Sequence, residues 1–221
     1  MAINTIYETK SKDTIAYWFF TLADPKAAQA IATGGALSGS KSSMEFLGDG
    51  EHAVYFTFEP ENNQCLWALR PEDRELKQLP ASMSVAAQKA NLDAIRDASA
   101  QHNLFNQIVD EDRASWCFYY QKADLARQYG DWDSVVGYWE EAEEGGYRPH
   151  HGFEFIPFIE GYAYTGDWGG TFELTRSSNK TTKAMYFISC PTWERLAESA
   201  PSGAEKTAFV EKAFEYLRCA P

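Results

Sequence analysis

The chain has 221 residues and a formal net charge of −12, with 20 Lys and Arg against 32 Asp and Glu. A hydrophobic share of 44% and an aromatic share of 15% describe a folded globular protein, long enough to bury a core. The acidic balance repels a phosphate backbone and no Lys/Arg stripe offsets it, which argues against nucleic acid and anionic membrane surfaces as partners.

Apolar runs such as Ile15–Phe20 and Ala184–Ile188 fall far short of the ~20 residues a membrane helix needs. Met1–Lys12 is polar and carries no signal-peptide pattern, and the Met-Ala start suits either a complete protein or a segment of a larger one. Thr14–Leu22, rich in β-branched and aromatic residues, reads as a strand or a buried helix. Asp24 and Pro25 then open a short helix as N-cap and first residue, and Gly34 closes it. Gly34–Ser43 reads as a Gly/Ser loop, and Met44–Leu47 and His52–Phe58 as strands flanking a Gly48-Asp49-Gly50 turn. Gln64–Leu69 gives a third strand, stopped by Pro71. Val85, Leu92 and Ile95 return at helical spacing over Ser84–Ala100.

From Asp110 the pattern is helical throughout. Ser115–Tyr129 ends at Gly130, and Trp132–Glu144 is broken by Gly145-Gly146 and Pro149. Phe153–Thr165 and Trp168–Arg176 repeat the scheme, Ser177–Thr182 reads as a polar linker, and Thr192–Ser199 with Ala204–Leu217 makes a last hairpin. The class is α+β: residues 1–110 a mixed segment with a small antiparallel sheet, residues 111–221 a helical hairpin array.

Gly130-Asp131-Trp132 recurs 36 residues on as Gly166-Asp167-Trp168. A glycine ends one helix, an aspartate caps the next, and an aromatic packs across the hairpin. With Tyr119, Ala123, Ala142 and Pro149 around the first copy, Tyr119–Pro149 resembles a tetratricopeptide repeat, a family of stacked helical hairpins that bind protein or peptide partners. The second copy departs from that pattern, with Pro157 and Gly161 where the first helix should be continuous and with Ile159 and Thr171 in place of the small packing residues.

A fainter likeness spans more of the chain. Cys65-Leu66, Arg70-Pro71, the Asn91-Leu92-x-x-Ile95 helix, Trp116–Asp124, Arg127-x-x-Gly-Asp-Trp, Pro157-Phe158-Ile159-Glu160, Cys190-x-x-Trp193 and Cys219 carry it. In this order they resemble the soluble C-terminal region of certain bacterial multi-pass membrane proteins of glycosyltransferase type. The resemblance implies an extracytoplasmic accessory domain that meets a membrane only through a transmembrane portion absent from this sequence, with any transferase chemistry in that portion.

Candidate chemistry is sparse. Gly34–Ser42 approaches a phosphate-binding loop, but Ser40 displaces the lysine by one place and a strand follows where a helix should. His150, His151 and Glu154 lack a spacing that suggests a third metal ligand, and they read as an inter-repeat loop. Glu140, Glu141, Glu143 and Glu144 offer paired carboxylates for acid–base work, but Glu140, Glu141 and Glu144 read more simply as the outer face of a helix whose inner face is Val136, Trp139 and Ala142. Asn179-Lys180-Thr181 is a glycosylation sequon. No catalytic residue, metal or cofactor is assigned.

None of the four cysteines forms a Cys-x-x-Cys pair. Cys190 and Cys219 flank the last hairpin, whose antiparallel helices bring its outer ends together, so they are either a disulfide or two buried thiols. The expected contact surface is the inner face of the array near Tyr119, Tyr120, Lys122 and Arg127, where cations in an acidic protein hold a partner's carboxylate. The functional expectation is a non-catalytic interaction domain for a protein or peptide. Alternatives are a module binding a glycan or lipid-linked sugar, and a stand-alone cytosolic scaffold or enzyme.

Overall fold

The computed structural model describes residues 25–41, 44–50, 53–57, 64–76, 79–95 and 115–219. Thr14–Leu22, Asp24, His52 and Asp110–Asp112 lie outside them. The class is α+β: among the described residues there are two two-stranded sheets and eight α-helices, with the helices concentrated towards the C-terminus. The chain divides into two compact units, one of Met1–Phe56, Ala68–Glu75 and Leu79–Asp112, the other of Thr57–Trp67, Leu76–Gln78 and Arg113–Pro221.

In the first unit, helix α1 (Pro25–Thr33) begins at its proline and ends at Gly34, whose φ of +67° suits a residue without Cβ. The Gly34 and Gly35 N–H groups donate to the Ile31 and Ala30 carbonyls at 3.2 and 2.7 Å, closing the helix. Strand β1 (Ala36–Lys41) follows directly and pairs antiparallel with β2 (Met44–Asp49), from Ala36 opposite Asp49 to Lys41 opposite Met44. This corrects the expected Gly/Ser loop, and Gly48 and Asp49 are not a hairpin turn but pair within β2 with Leu37 and Ala36. Ladder hydrogen bonds and the buried side chain of Leu37 hold a segment of poor β-propensity extended. Gly50 instead lets the chain approach α1, since a Cβ there would stand 3.2 Å from the Ile31 Cα, and its carbonyl accepts the buried Tyr55 hydroxyl at 3.0 Å.

Strands β3 (Phe56–Thr57) and β4 (Trp67–Ala68) form the second sheet. Helix α2 spans Ala81–Gln88 and a 3-10 turn Leu92–Ala94, which corrects the single helix expected over Ser84–Ala100. Pro80 fixes the start, its carbonyl accepting the Met83 and Ser84 N–H groups. At the far end, the Asn91 N–H leaves helical register to donate to the Ala53 carbonyl at 3.0 Å.

The second unit contains antiparallel hairpins α3 (Trp116–Gln128) with α4 (Trp132–Glu144), α5 (Ile156–Thr165) with α6 (Trp168–Thr181), and α7 (Tyr186–Ser199) with α8 (Lys206–Leu217). Both Gly-Asp-Trp turns work alike. Gly130 and Gly166 sit at φ +69° and +90°, and the Asp131 and Asp167 carboxylates accept the Ser134 and Gly170 N–H groups at 3.3 and 2.8 Å. Each tryptophan reaches the next hairpin: Trp132 stacks on Tyr164 with centroids 4.1 Å apart, and Trp168 lies 6.1 Å from Trp193.

Gly161 does not interrupt α5. A Cβ there would stand 2.6 Å from the Val135 Cγ1, so this glycine lets α5 cross α4 closely. Pro157 also fits, because it occupies the first turn of α5, where no intrahelical donor is required. The expected linker over Ser177–Thr182 is largely the end of α6, because its polar residues are bonded: Ser178 Oγ donates to the Gly152 carbonyl at 2.8 Å, and Asn179 Nδ2 to the Thr175 carbonyl at 2.9 Å. Helix α7 starts at Tyr186, six residues before the expected Thr192, and contains Pro191. The core between the first two hairpins is aromatic, with Trp116 5.5 Å from Phe158 and Trp139 5.0 Å from Phe158.

Candidate interaction surface of the helical array

The first helices of the three hairpins are joined by a chain of charges. Arg127 of α3 donates to Asp124 at 3.0 Å and to Glu160 of α5 at 3.4 Å, and Arg195 of α7 donates to Glu160 at 3.0 Å. The side chains of Asp124, Arg127 and Glu160 are 13%, 7% and 12% exposed, whereas that of Arg195 is 37% exposed. Paired and hydrogen-bonded in this way, the inner charges are tolerated away from water and fix the register of α3, α5 and α7. Arg195 brings the chain to the surface.

The four expected contact residues do not form one exposed patch. Tyr120 is buried, edge-on to Phe153 at 6.2 Å, and Arg127 is buried in the charge chain. Tyr119 is half-buried and stacks on Tyr147 at 5.5 Å, and Lys122 is half-buried with its ammonium 5.6 Å from the Phe118 ring centroid. Glu160 and Arg195 escaped sequence reasoning, although the correspondence of Asp124 with Glu160 across the 36-residue repeat was a usable signal.

Glu154 is the other residue the sequence undervalued. It is fully buried, and its Oε1 accepts the Cys65 N–H at 3.0 Å. Its Oε2 accepts the Trp116 Nε1–H at 2.8 Å and the His150 and His151 N–H groups at 2.8 and 3.3 Å. Such a set of donors replaces the water a buried carboxylate has lost. The histidines therefore present backbone donors to Glu154, and the His151 ring stacks on Phe153 at 5.8 Å. No group of three His, Cys, Asp or Glu among the described residues is placed to hold a metal ion.

All four cysteines are in disulfides, Cys65 with Cys117 and Cys190 with Cys219, at Cα separations of 5.2 and 5.6 Å. The first ties the segment before β4 to α3 beside the Glu154 clasp, and Trp67 stacks on Phe153 at 4.6 Å there. The second closes the last hairpin.

Glu140, Glu141, Glu143 and Glu144 are exposed on α4, opposite its buried Val135, Trp139 and Ala142. Two of them act on Tyr162, whose hydroxyl is pushed up to about 12 by burial and then by Glu140, Glu143 and Asp167. The sequon asparagine, Asn179, also donates its Nδ2 to Ser189 Oγ at 2.8 Å, so the nitrogen that would carry a glycan is bonded within the fold. In the first unit a shallow polar depression is lined by Pro71, Gln88, Lys89 and Asn91 among others. No helix among the described residues is long and apolar enough to cross a membrane. No protein-family model matches the chain, and no curated protein or solved structure matches it significantly.

Proposed function

We propose that this chain is a non-catalytic interaction domain of an extracytoplasmic, oxidising compartment, an accessory to a membrane-bound transferase of glycosyltransferase type. The observation that carries the reading is the pairing of every cysteine in two disulfides, a state that persists outside the reducing cytosol. The hairpin array supports the interaction role, because stacked hairpins present an extended surface built from successive first helices. Arg195 is the point of contact on that surface, a guanidinium at the exposed end of a fixed charge chain that suits a carboxylate of a protein or peptide partner.

Disulfide mapping by mass spectrometry, on protein purified without reductant and equilibrated in a glutathione buffer at cytosolic poise, tests the compartment. Both bridges should survive. Four free thiols would overturn it in favour of a cytosolic scaffold. Arg195→Ala should weaken capture of a co-purifying partner at least ten-fold while leaving the fold intact, and unchanged capture would reject that contact.

A second reading, binding of a glycan or lipid-linked sugar, draws on the parallel stack of half-buried Trp132 and Tyr164 at the turn end of the hairpins. Tryptophan fluorescence titrated with a glycan panel decides between them: a saturable change lost in Trp132→Ala favours the sugar, and a flat response removes it.

A further inference from the structure

We infer that α8 is a redox-released cap on the last hairpin, held shut by Cys190–Cys219. This goes beyond the interaction reading and requires only that the bridge can form.

The two disulfides differ in their surroundings. Cys65 is fully buried, its N–H held by Glu154 beside the Trp67–Phe153 stack, while its partner Cys117 is half-buried, so an external thiol reaches that bridge from the Cys117 sulfur alone. Cys190 and Cys219 are both half-buried, so neither sulfur of the second bridge is shut away as Cys65 is.

What lies between them is a helix with little else to hold it. Of α8, only Ala213 and Leu217 are buried. Phe209 and Tyr216 touch Phe172 of α6 at 6.2 and 5.7 Å, and Lys212 lies 4.3 Å from the same ring centroid, all at a partly open surface. Pro201–Glu205, the connection into α8, is exposed throughout, so it can serve as a hinge. Lys206 Nζ donates to the Ala200 carbonyl at that hinge end. At the other end Arg218 adopts φ +54°, a left-handed conformation that costs a residue with Cβ, one position before the bridged Cys219. A 12-residue helix is marginal in water without tertiary support, so the bridge decides whether α8 stays docked.

The opening step needs a dithiol reductant. One of its thiolates attacks a sulfur of the bridge, breaking S–S and forming a mixed disulfide. Its second thiolate displaces the remaining cysteine. Two electrons and two protons pass to Cys190 and Cys219, and the reductant leaves as its own disulfide. Helix α8 then swings on Pro201–Glu205 and uncovers Phe172.

The test uses the full chain in dithiothreitol buffers of graded oxidised-to-reduced ratio, with alkylation, peptide mapping and amide hydrogen exchange. Cys190–Cys219 should open at a more oxidising poise than Cys65–Cys117. With it alone open, amides of Lys206–Leu217 should exchange at least ten-fold faster while those of α3–α6 are unchanged. Simultaneous opening of both bridges, or undiminished protection of α8, would overturn the proposal. The Cys190→Ser/Cys219→Ser variant gives a second measurement, since its α8 should exchange fast at every poise, and wild-type protection there would also reject the cap. Thiols found free at purification would contradict the oxidising compartment instead, and the cap is then measured after oxidation by glutathione disulfide.

Discussion

The two Gly-Asp-Trp turns share sequence, backbone and capping, yet their tryptophans do different jobs. Trp132 is half-buried and stacks flat on one ring of the next hairpin, whereas Trp168 is 1% exposed and packed against Trp193. Local sequence sets the turn, but the next hairpin decides what the turn's aromatic is worth. The Trp193 Nε1–H donates to Thr175 Oγ1 at 2.9 Å in a buried bond, whereas the Tyr164 hydroxyl at the first site bonds Ser199 Oγ at 2.8 Å at the exposed surface.

The largest expected effect sharpens this contrast. Trp168→Ala should destabilise the second unit by about 3–5 kcal/mol, the usual range for emptying a buried tryptophan site. Trp132→Ala should cost about 1–2 kcal/mol, from one aromatic pair and partial burial. Urea unfolding of both variants measures the difference. Equal losses would mean that the turns are interchangeable and that packing by the next hairpin does not matter.

Glycines inside two neighbouring helices extend the comparison. Gly161 in α5 has Val135 Cγ1 2.6 Å from where a Cβ would be, while Gly137 in α4 has nothing within 4 Å. Gly161→Ala should therefore destabilise by about 1–3 kcal/mol through overpacking. Gly137→Ala should stabilise by about 0.5–1 kcal/mol by removing backbone freedom from the unfolded chain. Opposite shifts in thermal midpoint are the expected result, and shifts of the same sign would refute the close crossing of α4 and α5.

These cases also show what the sequence could reveal. The capped turns were legible because Gly130, Asp131 and their repeats act within a few residues of themselves. The α+β class was legible for the same reason: helix periodicity and turn residues are local signals. Gly161 was misread as an interruption because its purpose lies in Val135, on another helix. Ser178 and Asn179 looked like linker residues because the acceptors that keep them helical, Gly152 and Thr175, cannot be inferred from polarity. Arg127 suggests a free cation in sequence, but Asp124 on its own helix and Glu160 on the next hairpin together draw it inward, and the second of these partners is not a local signal.

The two capping aspartates should behave more alike than the two tryptophans. Asp131→Ala and Asp167→Ala each remove a carboxylate from a helix N-terminus, at a cost of about 1 kcal/mol apiece. Asp131 also accepts the Ser134 hydroxyl at 2.6 Å, but that bond is exposed and adds little. Matched losses in urea unfolding would confirm that capping is local. A much larger loss at Asp167 would show that the buried tryptophan beside it depends on the cap.

Asp167 enters one further effect, the smallest and the most specific to pH. Tyr162 has its hydroxyl raised from 10.0 to about 12, first by burial and then by Glu140, Glu143 and Asp167, so α4 and the second turn both act on α5. Below pH 10 the phenol is neutral in the folded and unfolded chains alike, and its contribution is constant. Between about pH 10 and 12 the unfolded chain loses this proton first, so stability falls as pH rises and levels off once the folded phenol also ionises. Tyr162→Phe should remove that part of the alkaline loss. Tyr55, raised to about 12 in the first unit, keeps its own share in both proteins, so the difference between wild type and variant isolates Tyr162. Parallel stability profiles through this window would mean that neither burial nor the neighbouring carboxylates raise the Tyr162 hydroxyl. A divergence confined to it would confirm that the folded chain raises the Tyr162 hydroxyl, chiefly by burial and then through Glu140, Glu143 and Asp167.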